Sequence, residues 1–415
     1  MASTVLSRPL RPGAGSLAFL GVFVAALLGF LSLGAVLPVL PRYVRGPLGA
    51  GDLVVGIAVG IFALTAVVGR PLAGRAADTR GRRSVVVAGL ALLAVSGALY
   101  FVPAGVPGVL LARLVTGAGE ALVFTAGATW AVDLAPRERR GQVIGLFGMA
   151  VWGGLSLGPL AGEGLLAAGG YPAVWAFAAT SPLLGALLAR RLEDRHEAAE
   201  LAAPQAIMPR RTVRLGVALA LANVGYAVMA AFVVLHLSRR GIGHGATVFI
   251  AFAASVVATR LVAGSLPDRL GGRRTALGAF AAEALGLALV ALAPSLLVAV
   301  AGGVTIGAGF SVLFPSLALL VVDDAQDDGR GGALGAFTAF FDAGVGLGAP
   351  FAGAIASLAG YPAAFWAAAG CAGVGLALVL RDRGPASAEP LSAEAGRAAS
   401  ARAAGVAPPD SGRGR

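Results

Sequence analysis

The chain has 415 residues, of which 57% are hydrophobic and only 13% charged. A soluble globular chain carries about 25% charge, so composition excludes a water-soluble enzyme or binding domain. The net charge of +11 comes from 32 arginines without a single lysine. Their placement in alternate loops makes the surplus a topology signal and excludes a nucleic-acid footprint.

Apolar runs long enough to cross about 30 Å of hydrocarbon recur along the chain. In order they predict twelve helices: Leu17–Leu40, Leu53–Ala73, Ser84–Val102, Val106–Trp130, Gly141–Leu165, Pro172–Leu188, Thr212–His236, Ala246–Leu266, Thr275–Ala293, Ser295–Val322, Gly332–Leu358 and Pro362–Leu380. The runs lack the alternation that a membrane β-barrel needs. Arg8 and Arg11 precede the first run as in a signal peptide. That run is too long for a cleaved leader and ends at Pro38 and Pro41 without a small-residue cleavage site, so it is kept as span 1.

Nineteen arginines fall in the N-terminal segment, the alternate loops and the centre of the chain, against four (Arg42, Arg45, Arg239 and Arg240) in the opposite loops. Both termini are therefore expected in the cytoplasm. A mixed-charge stretch containing Arg190, Glu193, Asp194 and Arg195, followed by Pro204 and Pro209, divides the chain. The expected organisation is an N-terminal six-helix bundle (1–189), a cytoplasmic linker (190–211), a C-terminal six-helix bundle (212–381) and a disordered cytoplasmic tail (382–415). Cys371, the single cysteine, excludes an internal disulfide and reads as a small apolar residue of the last span. His236 and His244 have no neighbouring carboxylates in sequence and make no metal site.

The two halves repeat each other in one constant register. Gly74 and Asp78 recur as Gly264 and Asp268, and Asp133 recurs as Asp323. Arg140-Gly141 recurs as Arg330-Gly331, Phe147 as Phe337, and Gly170-Tyr171-Pro172-Ala173 as Gly360-Tyr361-Pro362-Ala363. In so apolar a chain, duplication marks a transporter whose halves rock against each other, here as parallel repeats about an axis normal to the membrane.

Between spans 2 and 3 the chain reads Gly74-Arg75-Ala76-Ala77-Asp78-Thr79-Arg80-Gly81-Arg82-Arg83. A weaker copy, with one extra residue before Arg273-Arg274, follows span 8. This segment resembles the cytoplasmic loop signature of the major facilitator superfamily, and the likeness extends over nearly the whole chain. The resemblance implies an all-α membrane protein with two pseudo-symmetric six-helix bundles, and a monomer. It also implies that Gly74, Asp78 and Arg82, with Asp133 as a candidate partner, latch the cytoplasmic side, echoed by Gly264, Asp268 and Arg273. Gly74 is expected to let helices approach closely. Arg80, Arg82 and Arg83 can reach anionic lipid or carboxylates of the other half.

Span 4 carries Arg113 and Glu120, seven residues apart on one helix face with Thr116 between them. Their segment resembles the family's arginine motif, which is linked to proton transfer; the alternative is a structural pair locking span 4 in place. The counterparts in the second copy are Gly303 and Phe310, so proton or substrate handling is expected in the first half. Gly154, Gly158, Pro159 and Gly162 in span 5 resemble the family's antiporter motif. They are expected to pack helices tightly and seal the halves together, with Gly344, Gly348, Pro350 and Gly353 as a looser echo.

Asp342, about ten residues into span 11, is the leading acid of the second half, and its counterpart is Trp152. A charge at that depth is functional by default. Glu283 is either structural or faces another helix, and Glu163 reads as interfacial. Trp152, Asn223, Tyr226 and Phe341 are candidates for the cavity lining, with helix packing as the alternative.

A phosphate-binding loop is ruled out because no lysine exists to complete one. A proton gradient, with no cofactor, is the expected energy source. Three functions stay open: a proton-coupled exporter of small organic compounds, a proton symporter importing a sugar or organic acid, and a non-transporting receptor. The Ala, Gly and Arg bias points to a GC-rich bacterial genome and hence to a bacterial inner membrane.

Overall fold

The computed structural model describes residues 14–135, 140–194, 210–324 and 330–382. Arg8, Arg11, Arg137, Arg139, most of the expected linker (195–209) and the tail beyond 382 lie outside them, as do the side chains of Asp323 and Arg330.

The predicted spans appear as helices α1 (Ala14–Val36), α2 (Leu40–Arg45), α3 (Asp52–Gly60), α4 (Phe62–Arg80), α5 (Arg82–Leu99), α6 (Gly105–Asp133) and α7 (Arg140–Ala189). They continue as α8 (Arg210–Arg239), α9 (Ala246–Ala263), α10 (Leu266–Leu270), α11 (Gly272–Leu292), α12 (Leu296–Asp324), α13 (Arg330–Ala359) and α14 (Tyr361–Leu380). Among the described residues there is no strand. Among the described residues eleven helical stretches are long and apolar enough to cross a membrane.

Spans 5 and 6 account for the difference from twelve. They run together as the 50 residues of α7, which would be about 75 Å of straight helix, more than twice the hydrocarbon thickness. The backbone breaks at Gly169 and Gly170 (φ 67°), so α7 is two spans folded back at a glycine turn. Its repeat partner Gly360 (φ 83°) makes the same turn before α14. Gly81 and Gly271, another pair of equivalent positions, have φ 89° and 86° and start α5 and α11. Left-handed backbone of this kind favours glycine.

Span 2 was expected as one helix. It is broken at Ile61 and continues to Arg80, past the predicted end at Ala73. The expected linker is shorter than 190–211 at its far side, because α8 begins at Arg210. Its near side is anchored: Asp194 accepts from the Arg83 backbone N–H at 3.0 Å, and the Arg83 guanidinium donates to Leu192 O at 3.1 Å. The carboxylate thereby serves a free N–H in the first turn of α5.

Duplication governs the packing as well as the sequence. Thr65 Oγ1 donates to Leu114 O (2.7 Å), and at the matching positions of the second half Ser255 Oγ donates to Val304 O (2.8 Å). Gly119 presses against Gly89 O, and Gly309 against Ala279 O. Leu64, Val68 and Leu72 on α4, like Leu261 and Val262 on α9, stand exposed as lipid-facing side chains do.

The glycine stripe of span 5 does not seal the halves together. A Cβ on Gly154 would lie 2.7 Å from Leu31 N, and one on Gly158 2.5 Å from Gly34 Cα, while Gly162 abuts Ala35. All three pack α7 onto α1 within the first bundle, where α7 also contains Pro159. Gly344 and Gly348 repeat that contact between α13 and α8. The close seam between bundles lies instead between α3 and α13. There Gly60 faces Gly346 O, Gly353 faces Asp52 O, and Gly56 abuts Ala349. A second seam joins α7 to α9, where Ser156 Oγ donates to Ala253 O at 2.9 Å.

Candidate functional site

At the centre of the interface between bundles, Arg70 of α4 holds two acids. Its Nε and Nη2 donate to the two oxygens of Asp342 on α13 (2.5 and 2.9 Å), and Nη2 also reaches Glu120 of α6 at 3.2 Å. The guanidinium lies over the Phe124 ring, 4.6 Å from its centroid. Glu120 and Asp342 are 7% and 3% exposed and the Arg70 side chain 15%, so both acids are buried and the base is partly so. The two-pronged bond to Asp342 is the geometry that suits a guanidinium and a carboxylate. It joins the bundles: Arg70 and Glu120 belong to the first, Asp342 to the second.

Sequence reasoning found both acids and missed the base. Arg70 sits inside the second predicted span, and a lone arginine within an apolar run was itself the signal.

Arg113 is not part of this trio, although it shares a helix face with Glu120. It is 1% exposed and donates to Ala58 O and Val59 O, both at 2.9 Å, with its guanidinium over the Phe62 ring. Those carbonyls end α3 at the break and have lost their helical partners; the guanidinium satisfies them. In the second copy Gly303 approaches Val248 O directly, so the backbone contact survives without an arginine. Thr116, between Arg113 and Glu120, binds Ser96 Oγ at 2.6 Å and Ala112 O.

Three of the four expected cavity residues meet. Trp152 of α7 packs edge-on to Phe310 (5.4 Å between centroids) and Phe341 (6.4 Å), and Tyr226 stacks on Phe310 at 5.5 Å. The structure sets Asn223 apart, against Gly344, with its Nδ2 donating to Leu219 O.

The latch residues are assembled within one bundle. Arg82 bonds Asp78 (2.5 Å) and Asp133 (3.0 Å), and all three belong to the first six spans. As placed, they brace α4, α5 and α6 and do not bridge the halves. Gly74 is not a point of close approach, since a Cβ there would lie 4.0 Å from Thr125. The second copy is built differently. Gly272 stands where the first copy has Arg82, its Cα facing Ser316 O, while Arg273 Nε donates to Val379 O at 3.3 Å. Asp268 is exposed, and Gly264 caps α9.

A bridge between bundles does exist at the opposite end. Asp52, at the start of α3, accepts from Tyr361 Oη of α14 at 2.8 Å, with Arg45 and Arg239 at 3.6 and 3.9 Å. Arg239 also lies over the Tyr361 ring. Nearby, Arg42 is ion-paired with Glu163. Glu283 is fully buried on α11 against Gly225 of α8. His236, at the predicted end of span 7, is buried with Nε2 3.0 Å from Val290 O.

The family model of the Major Facilitator Superfamily matches the chain twice, over residues 22–250 and 213–408. An uncharacterized MFS-type transporter of Salmonella typhimurium is 33% identical over 372 residues, covering 88% of this chain and 96% of that protein. Among solved structures, a mutant of the nucleoside transporter NupG superposes with a TM-score of 0.76 at 14% identity, over 88% of this chain and 99% of that one. A bacterial homolog of the human lysosomal transporter Spinster, in an inward-facing unoccupied conformation, gives 0.70 at 15% identity, over 89% of this chain and 95% of that one. With two bundles of repeated architecture and a charged trio at their interface, the chain belongs to the major facilitator superfamily: it is a multi-pass membrane transporter of a small molecule and not an enzyme.

Proposed function

We propose that the chain is a proton-coupled secondary transporter that works by alternating access and exports a small organic compound. The observation that carries the coupling is the trio of Arg70, Glu120 and Asp342 across the bundle interface. Two carboxylates against one guanidinium leave one negative charge over, and a single proton makes the site neutral. In a low-dielectric interior that difference is large, so proton arrival and the strength of the bridge between bundles are linked. A proton on Asp342 removes the ion pair that ties the bundles; its departure restores it.

The arginine distribution supports placing the Gly81 and Gly271 turns, both termini and the central linker in the cytoplasm of a bacterial cell. The Asp52–Tyr361 bridge and the α3–α13 seam then lie toward the exterior, which supports reading that side as the closed one. Export follows the resemblance of Gly154, Gly158, Pro159 and Gly162 to the antiporter motif. The protein acts as a monomer and uses the proton gradient without a cofactor.

The test is a panel of compounds added to inside-out vesicles that hold a proton gradient, with a pH-sensitive dye reporting proton release. Wild type is expected to release protons with its substrate. Asp342→Asn and Glu120→Gln are expected to remove the pH dependence of flux. Unchanged coupling in both variants would exclude the trio.

A further inference from the structure

One buried acid takes no part in the trio. Glu283 of α11 is 0% exposed, and among the described residues neither of its carboxyl oxygens has a hydrogen-bond partner. Its repeat counterpart is Leu93, also buried, so the first bundle fills the same place with an apolar side chain. Packing alone therefore does not call for an acid here. An acid inside a membrane span is functional by default.

The neighbours of Glu283 decide what it can bind. Gly225 of α8 closes one side: a Cβ there would lie 2.3 Å from Glu283 Oε1 and 3.2 Å from Leu287. Helix α12 brings Gly302 and Ile306 against Gly286, one turn further along α11. Helix α14 brings the Cys371 thiol within electrostatic reach of the carboxyl, and Gly375 against Phe280. On α8, Tyr226 turns away to stack on Phe310, and His236 bonds Val290 O, about 10 Å further along α11. No described cation pairs with the acid, and the Gly225 contact leaves no gap on that side for a metal ion. A bare carboxylate so placed would bear the full cost of lost hydration, whereas a neutral acid bears far less. The counterion that fits is a proton.

The helix that covers Glu283 also touches the helix of Asp342. A Cβ on Gly344 of α13 would lie 2.8 Å from Asn223 Cβ, and one on Gly348 would lie 3.0 Å from Val224 Cα. Asn223, Val224 and Gly225 are consecutive, so α8 bears on α13 and on Glu283 at one level. Toward its end, Arg239 of α8 lies 3.9 Å from Asp52 of the first bundle. Relative movement of the bundles is thereby passed through α8 to the Glu283 contact.

We infer that Glu283 is a second proton-binding site, separate from the trio: it holds its proton while Gly225 covers it and exchanges that proton when α8 shifts against α11. This rests on the alternating-access reading above and adds to it a proton site inside the second bundle.

The experiment uses the full chain in vesicles of phosphatidylethanolamine and phosphatidylglycerol, without substrate or gradient, and its probe is the proton itself. Infrared spectra at neutral pH are expected to contain the C=O stretch of a protonated carboxyl free of hydrogen bonds. That band is expected to vanish in Glu283→Gln and to persist in Glu120→Gln and Asp342→Asn. Transfer to D2O shifts the band as the proton exchanges. Asp52→Ala, which breaks the Tyr361 bridge and frees the end of α8, is expected to speed that exchange at least tenfold relative to the backbone amides, which report general loosening. Absence of any band that Glu283→Gln removes would overturn the inference. So would an exchange rate, relative to the amides, equal in wild type and Asp52→Ala, because a proton trapped for packing alone would not respond to the bridge. Should Glu283→Gln not fold, Glu283→Leu supplies the side chain of the first bundle, removes the same band and is expected to raise the melting temperature. Failure of the trio reading shows separately, as pH-dependent flux that persists in both Asp342→Asn and Glu120→Gln, whatever the Glu283 band does.

Discussion

The two interface seams between the bundles share one backbone plan and differ in their chemistry. At the first, Arg70 meets Glu120 and Asp342; at the second, Arg260 meets a carbonyl, and Phe310 and Trp152 fill the acid positions. Where the backbones pack, the repeat is kept: the Thr65 and Ser255 bonds, the Gly119 and Gly309 contacts, and the Gly81 and Gly271 turns all have partners. Framework and function thus separate residue by residue. Close helix packing tolerates few alternatives to a small residue, whereas a longer side chain between the helices can change from an acid to an aromatic and leave the helices around it in place.

The sharpest way to break the comparison is to make the charged seam resemble the uncharged one. Asp342→Asn leaves Arg70 with one acid, and removing one partner of a buried pair costs about 3 kcal/mol. A marked fall in the melting temperature and loss of pH-dependent flux are expected; flux that keeps its pH profile would deny the trio its role. Replacing all three residues together, as Arg70→Met, Glu120→Leu and Asp342→Leu, is expected to recover much of that stability while leaving transport uncoupled, since an apolar cluster needs no charge compensation.

Next in size is Arg113→Gln. The carbonyls of Ala58 and Val59 lose a charged donor, at a cost of about 1–3 kcal/mol. The melting temperature falls and the pH profile of flux stays in place. A shifted profile would return Arg113 to the coupling machinery. Gly81→Ala and Gly271→Ala test the shared framework: left-handed backbone costs a non-glycine residue about 1–2 kcal/mol, and Gly81→Ala is expected to lose more, because a Cβ there would lie 2.7 Å from Asp194 Oδ2 while one at Gly271 meets open space. Equal losses would show that backbone strain alone sets the cost. Least of all, Asp268→Asn is expected to change stability by less than about 0.5 kcal/mol, as an exposed substitution does. Asp78→Asn removes a bond to the buried Arg82 and is expected to cost more; equal effects would contradict the difference between the two loops.

Much of the architecture was legible along the chain. The twelve spans and the fixed offset between halves anticipated both bundles, because lipid demands long apolar helices and a duplicated sequence repeats its backbone. Glu120 and Asp342 were recognisable because a charge inside an apolar run is costly. Arg70 met the same criterion and was overlooked, although its repeat partner Arg260 marked it too. The grouping of these residues was a different matter. Arg113 and Glu120 share a helix face and take unrelated partners. The span 5 glycines pack inside one bundle, and Asn223 leaves the aromatic group.

What the amino-acid order determined by itself was class, topology and the symmetry of the halves, because these follow from hydrophobic length and repetition. What the tertiary structure alone decided was partnership: which arginine holds which acid, which glycines form the seam, and which arginine meets a carbonyl in place of an acid. The bond from Arg70 to Asp342 joins residues 272 positions apart. Such pairings depend on the rotation of one helix against another, which no local pattern records.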